Sequence, residues 1–199
     1  MSAKSPTDTG AETAQIAHRV LRDGEYVVNH SVVAEGGIPV AVRLDLWRIA
    51  DGRIVAHWGD DEPWALETAS GHTQIDGPTE INPTADTEST RQIATDAVQT
   101  ILVDGDASTL DALLAGEDYV QHNPRFADGV SGLLAALKAL AAQGITMKYD
   151  QITHVVADGN FAYVRSEGKF GDQPFIFHDL FRVDAGRCAE HWDVITSRA

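Results

Sequence analysis

Basic residues are scarce. Lysine and arginine number 15 against 30 aspartates and glutamates, a formal charge of −15. That balance excludes the functions that need clustered cations. Nucleic acid is bound through its phosphates, and an anionic membrane surface is held by lysine and arginine. Cysteine is nearly absent. Cys188 stands alone, so no intramolecular disulfide forms, and its apolar strand setting marks it as a small core residue. Long apolar runs are missing too, and no stretch approaches the ~20 residues of a membrane span. The opening MSAKSPTDTGAETAQ has no apolar signal core. Cytoplasmic residence is the expectation. GxGxxG, P-loop and G-x-S-x-G patterns do not occur, so no nucleotide cofactor or hydrolase class is indicated. Eight histidines are present, but without HxxxH, HExxH or paired-cysteine spacing, so no metal site is expected.

What the chain does have is a repeat. DLWRIADGRIVAHW (Asp45–Trp58) and DLFRVDAGRCAEHW (Asp179–Trp192) align without a gap, and 7 of the 14 pairs are identical. The likeness extends upstream. VLRDGEYVV (Val20–Val28) parallels VVADGNFAY (Val155–Tyr163), and Pro39 parallels Pro174 after a slip of one residue. Apolar and aromatic residues alternate through FAYVRSEGKF and PFIFHDLFRV, the period of a half-buried strand. ADGR and DAGR supply Gly-containing turns. Each copy is predicted to be a three-stranded antiparallel meander, which must bury one face against something.

Helices precede only the second copy. Ile93, Ala97 and Ile101 recur at helical spacing in a segment ending at Gly105. STLDALLAG is a shorter helix stopped by Gly116. GVSGLLAALKALAAQG sets Val130, Leu133, Leu134 and Leu137 on one face, with Gly144 as the stop. The stretch between the copies is rich in Thr, Ser, Pro, Gly and Asp and reads as a linker. The predicted organisation is a disordered N-terminus over 1–14, a half-unit over 15–65, a linker over 66–88 and a complete α+β unit over 89–197.

YVQHNPRFADGVSGL, followed by DGNFAYVRSEGKF and FHDLFRVDAGRCAEHWDV, resembles the SnoaL-like polyketide cyclase family. That family lies in the nuclear-transport-factor-2-like superfamily, which also holds ketosteroid isomerase. The resemblance covers roughly residues 91–197. It implies an α+β cone: a strongly curved antiparallel sheet wrapped around helices, with an apolar pocket in its mouth. The first copy then looks like the C-terminal sheet half of a second unit without helices. Two origins stay open. It is either a remnant whose sheet packs on the complete domain in place of a homodimer partner, an internal pseudo-dimer, or the end of a truncated first domain.

The resemblance puts Asp193 where the cyclases keep their general base. A carboxylate in an apolar cavity gains the raised pKa that removal of a proton beside a carbonyl requires. The first copy has Gly59 there, with Asp60 on the opposite strand face, so that copy reads as structural. Asp179 shares a strand face with Phe177 and Phe181. It matches the isomerase aspartate held protonated as a hydrogen-bond donor, a case well described for that enzyme, or it is a structural acid, since Asp45 repeats it. His191, two residues before Asp193, shares its face and is either its orienting partner or a histidine packed beside Trp192. His122 is a candidate second acid/base, or a residue that satisfies loop backbone groups. Asn123 matches the isomerase's general base, but an amide orients rather than abstracts. The isomerase's helical tyrosine falls on an apolar residue near Val98. Tyr119, from the same phrase as His122, is a candidate ligand contact along with Asn123 and His191. The implied function is cofactor-free proton transfer on a small apolar carbonyl compound, of the aldol-cyclase or isomerase kind. The alternative is a non-catalytic ligand-binding or dimerisation module that pairs through sheet faces.

Overall fold

The computed structural model describes residues 12–198. Its first part is a four-stranded antiparallel sheet in the order β1-β2-β3-β4. The strands are β1 (Thr13–Asp23), β2 (Tyr26–Glu35), β3 (Ile38–Ala50) and β4 (Arg53–Pro63). This corrects the expected three strands. The segment before Asp23 exposes most of its side chains and buries only Arg19 and Leu21, so it carries little of the alternation that marks a strand. Of the N-terminus expected to be disordered, Thr13 and Ala14 belong to β1, and residues 1–11 lie outside the described residues.

The second part begins with α1 (Thr87–Asp96), capped by the Asp86 carboxylate, which accepts from the Glu88 and Ser89 amides. The helix continues as π-helical turns over Ala97–Val103, where the Asp104 amide donates to the Gln99 carbonyl. A 3₁₀ turn leads into α2 (Leu110–Leu113), then come β5 (Val120–Gln121) and α3 (Gly129–Ala142). The strands β6 (Met147–Asp158), β7 (Phe161–Phe170), β8 (Gln173–Asp184) and β9 (Arg187–Ser197) complete a sheet of order β5-β9-β8-β7-β6. Two bulges in β6 and one between β8 and β9 bend it around the helices. The result is the expected α+β architecture with a curved antiparallel sheet. Val130 and Leu133 of α3 are buried, but Leu134 is 42% exposed; it lines an open groove instead of the core.

The repeat is kept in register. Asp45 stands opposite Gly59 as Asp179 stands opposite Asp193. Both copies carry a bulge at the same place, after Arg48 and after Arg182. Both turn through two residues of positive φ, Asp51-Gly52 and Ala185-Gly186. The one-residue slip before Asp45 is a further bulge, with Val40 the residue left unpaired between β2 and β3.

The two sheets pack face to face. Leu21, Val28, Leu44 and Leu46 from the first meet Phe161, Tyr163, Leu180 and Trp192 from the outer face of the second in one apolar layer. The segment expected as a linker has no helix or strand but is fastened along this seam. The Arg19 guanidinium lies 3.9 Å over the Trp192 ring. It donates to the carbonyls of Ile75, Asp76 and Pro78, and Trp192 Nε1 donates to Asp76 O as well. Burial pulls the Arg19 pKa down to about 10. Among the described residues no helix is long and apolar enough to cross a membrane.

Candidate active site

Strand period decides which side chains meet. On β9 the residues His191, Asp193 and Ile195 face the helices, while Glu190, Trp192 and Val194 face the first sheet. On β8 the inward set is Phe177, Asp179 and Phe181. Direct pairing of Asp179 with Asp193 therefore puts two carboxyl groups side by side on the concave surface. The helices and β6 close over them, leaving a cavity with about 40 Å³ for the centres of water-sized molecules. That holds roughly three waters, or one small polar head group. Its walls include Ile101 and Leu102 of the π-helical turns, Phe126, Leu133 and Met147. The polar lining is Tyr119, Gln121, Tyr149, Asp179, His191 and Asp193. No residue of the first sheet is in the wall.

His191 sits between two acceptors. Its Nδ1 is 3.0 Å from Gln121 Oε1 and its Nε2 is 3.1 Å from Asp179 Oδ1. Both nitrogens lie within hydrogen-bond reach of an oxygen, the arrangement that an imidazolium takes. Burial opposes that charge, but the Asp179 hydrogen bond and the carboxylates of Asp193 and Asp179 outweigh it and hold the pKa raised. Asp179 Oδ1 also accepts from the Tyr149 hydroxyl at 3.2 Å. Both of these hydrogen bonds fall on Oδ1, and Asp179 Oδ2 is buried without a partner, as one oxygen of Asp193 is. His191 orients on Asp179 and not on Asp193, and it stacks on Phe181 at 4.8 Å. Trp192 is on the other face of the sheet.

Asp193 is held differently. Asn123 Nδ2 donates to its Oδ2 at 2.7 Å, and the Arg125 amide donates to Asn123 Oδ1, which fixes the amide's orientation. The other oxygen, Oδ1, is buried without a partner. Burial pushes the Asp193 pKa up to about 7; the charges of Glu62 and Asp179 add to the rise, against His191 and the Asn123 hydrogen bond. Tyr119 stays a proton donor, because burial raises its pKa well above 10. The ligand atoms of Asp179, His191 and Asp193 lie within 4.8 Å of one another. With His191 protonated the trio handles protons, and a metal ion would have to displace the His191 proton to bind there.

His122 is not in this cavity. Gln121 and Asn123 point inward from β5 and the following turn, so His122 points out. It lies between the Thr73 carbonyl (2.7 Å) and Glu190 (2.9 Å) and stacks on Trp192 at 4.6 Å. That placement removes it from proton transfer with Asp193. Tyr149 and Gln121, which the sequence reading missed, take part in the cluster instead. Tyr149 had one signal available, a polar-tipped aromatic at an inward strand position.

The first copy keeps half of the constellation. His57 Nε2 meets Asp45 Oδ1 at 2.7 Å, as His191 meets Asp179. Arg43 and Gln15 also donate to Asp45. A Cβ at Gly59 would meet Asp45 Oδ1, His57 Nε2 and Arg43 Nη2, so a side chain there would have to push that group aside. The face is an open depression lined by Arg43, Asp45, Trp47 and His57.

Residues 94–191 match the SnoaL-like domain family. Two solved structures are similar. One is a "putative ketosteroid isomerase" from Kribbella flavida, 25% identical, covering 58% of this chain and 83% of that one with a TM-score of 0.45. The other is TsrD from Streptomyces laurentii, 23% identical, covering 55% and 90% with a TM-score of 0.40. No protein of curated function matches the chain.

Proposed function

We propose, taking residues 94–191 as the SnoaL-like domain they are, that the cavity binds the carbonyl end of a small apolar compound and that Asp193 moves a proton beside that carbonyl without a cofactor. The observation that carries this reading is the asymmetry of the Asp193 carboxyl. One oxygen is fixed by Asn123, and the other is buried without a partner. A base with a pKa of about 7 is matched to neutral pH, where it is partly ionised and still basic enough to abstract. Oδ1 takes the proton from the carbon next to the carbonyl, the C–H electron pair forms the new C=C bond, and the carbonyl π pair moves to the oxygen. The Tyr119 hydroxyl donates to the enolate, and the His191 imidazolium stabilises its charge. The enolate carbon then attacks a second carbonyl, closing a ring, and Asp193 returns its proton to the alkoxide formed; or Asp193 returns the proton to a different carbon, shifting a double bond. The cavity beside Asp193 takes only the reacting end. An open apolar groove that shares Ile101 and Met147 with the cavity wall has room for the rest.

The test is exchange of α-protons for deuterium in a panel of ketones and β-keto esters, followed by NMR. Wild type is expected to accelerate exchange for at least one class, and Asp193→Asn to lose about 10²–10⁴-fold. Equal exchange by both proteins would exclude Asp193 as the base. Binding that raises Tm in both proteins, with no exchange in either, would favour the non-catalytic ligand-binding module.

A further inference from the structure

The first sheet stays out of the cavity wall, yet it sends one acid toward it. Glu62, near the end of β4, is 5% exposed. Its Oε2 accepts from the Ile195 amide at 3.3 Å, on the edge of β9 that β5 leaves uncovered. Its Oε1 accepts from Arg125 Nη1 at 3.1 Å. Arg125 in turn holds the Asn123 side chain through its own amide, at 2.8 Å, and Asn123 holds Asp193. Glu62 thus reaches Asp193 by two routes. One runs through the strand two residues beyond it, the other through Arg125 and Asn123.

We propose that Glu62 is a positioning residue of the acid pair: a carboxylate supplied by the appended sheet that sets the ionisation of Asp193 and the orientation of its carboxyl. This rests on Asp193 being the proton-transfer group. A buried carboxylate that neighbours another opposes its ionisation, and the charge of Glu62 pushes Asp193 in that direction. Burial raises the pKa of Glu62 itself, while Arg125 and the Ile195 amide oppose the rise. The other titratable groups facing Asp193 are Asp179 on β8, His191 on β9, Tyr149 on β6 and Tyr119 ahead of β5. All of these come from the second part of the chain. A complete domain without the first sheet would keep them and lack Glu62, which gives the half-unit a role beyond covering an apolar face.

The experiment is a ¹³C-carboxyl NMR titration of the full chain, following Asp193 in wild type, Glu62→Gln and Arg125→Met. Glutamine keeps the acceptor for the Ile195 amide and removes the charge. The Asp193 midpoint is expected to fall by at least about half a pH unit in Glu62→Gln, roughly threefold in proton affinity. Loss of the Arg125 cation is expected to move it upward. A structural Glu62 would alter melting without moving either midpoint, and unmoved midpoints in folded protein overturn the proposal. Should Glu62→Gln not fold, Arg125→Met decides alone, since its side chain is half exposed. The titration needs no substrate, so its failure is separate from a failure of the exchange assay.

Discussion

Asp179 and Asp193 carry the same side chain and face each other across two strands, but their partners make them different acids. Asp179 receives hydrogen from His191 and Tyr149, whereas Asp193 receives it from one amide. The difference has a stability signature. The Asp193 pKa rises from 3.8 to about 7 on folding, so between those values the native state binds a proton that the unfolded chain does not. Stability therefore falls as pH rises from about 4 through 7. At 1.36 kcal/mol per unit, the cost approaches about 4 kcal/mol above pH 7. Asp193→Asn is expected to be more stable than wild type by roughly 2–4 kcal/mol at pH 8, with the two converging near pH 4, as read by urea unfolding. A variant less stable than wild type at pH 8 would contradict the buried charge. His191, with its raised pKa, contributes stability that is present below 6.5 and lost as pH rises through its folded value. Strand period made Asp179, His191 and Asp193 legible as one face. It did not serve for His122, because β5 is two residues long and too short to show a period.

At the scale of elements, the segment between the sheets shows the limit of composition. Thr, Ser, Pro, Gly and Asp mark it as a linker, yet backbone carbonyls fasten it, and composition carries no record of those. Gly77 has φ +88°, and a Cβ there would meet Glu190 Oε1 and Trp192. Gly71 has φ +84° and open space around it. Alanine at either position strains the backbone by about 1–2 kcal/mol. Only Gly77→Ala must also displace a packed indole. It is expected to cost about 2 kcal/mol or more beyond Gly71→Ala, measured as the difference in urea unfolding free energy. Equal costs would mean that the segment is not seated on Trp192. The strands themselves were legible wherever one face is buried, as in β8 and β9. The π-helical turns are not legible in the sequence, since the Ile93, Ala97 and Ile101 spacing is equally that of a regular helix.

At the scale of the whole molecule, the repeat explains both the architecture and its asymmetry. The two copies share register, bulge and turn, and both retain an Asp–His pair. Opposite the first aspartate they part, with glycine there in one copy and aspartate in the other. The copy with aspartate is covered by helices and encloses a cavity, while the copy with glycine supplies a sheet face and Glu62. That contribution was not legible in the sequence, because the position of Glu62 depends on how two sheets separated by a long connection cross. The Asp193 environment is built from β4, the turn after β5, β8 and β9 together, so its ionisation reports on the assembled chain. The most direct test of the account is therefore the Asp193 carboxyl midpoint in the wild-type protein, read by ¹³C NMR between pH 3 and 9. The account expects a midpoint near 7. A midpoint near 4, the ordinary aspartate range, would mean a solvated carboxyl, and the proton-transfer site would not exist as described.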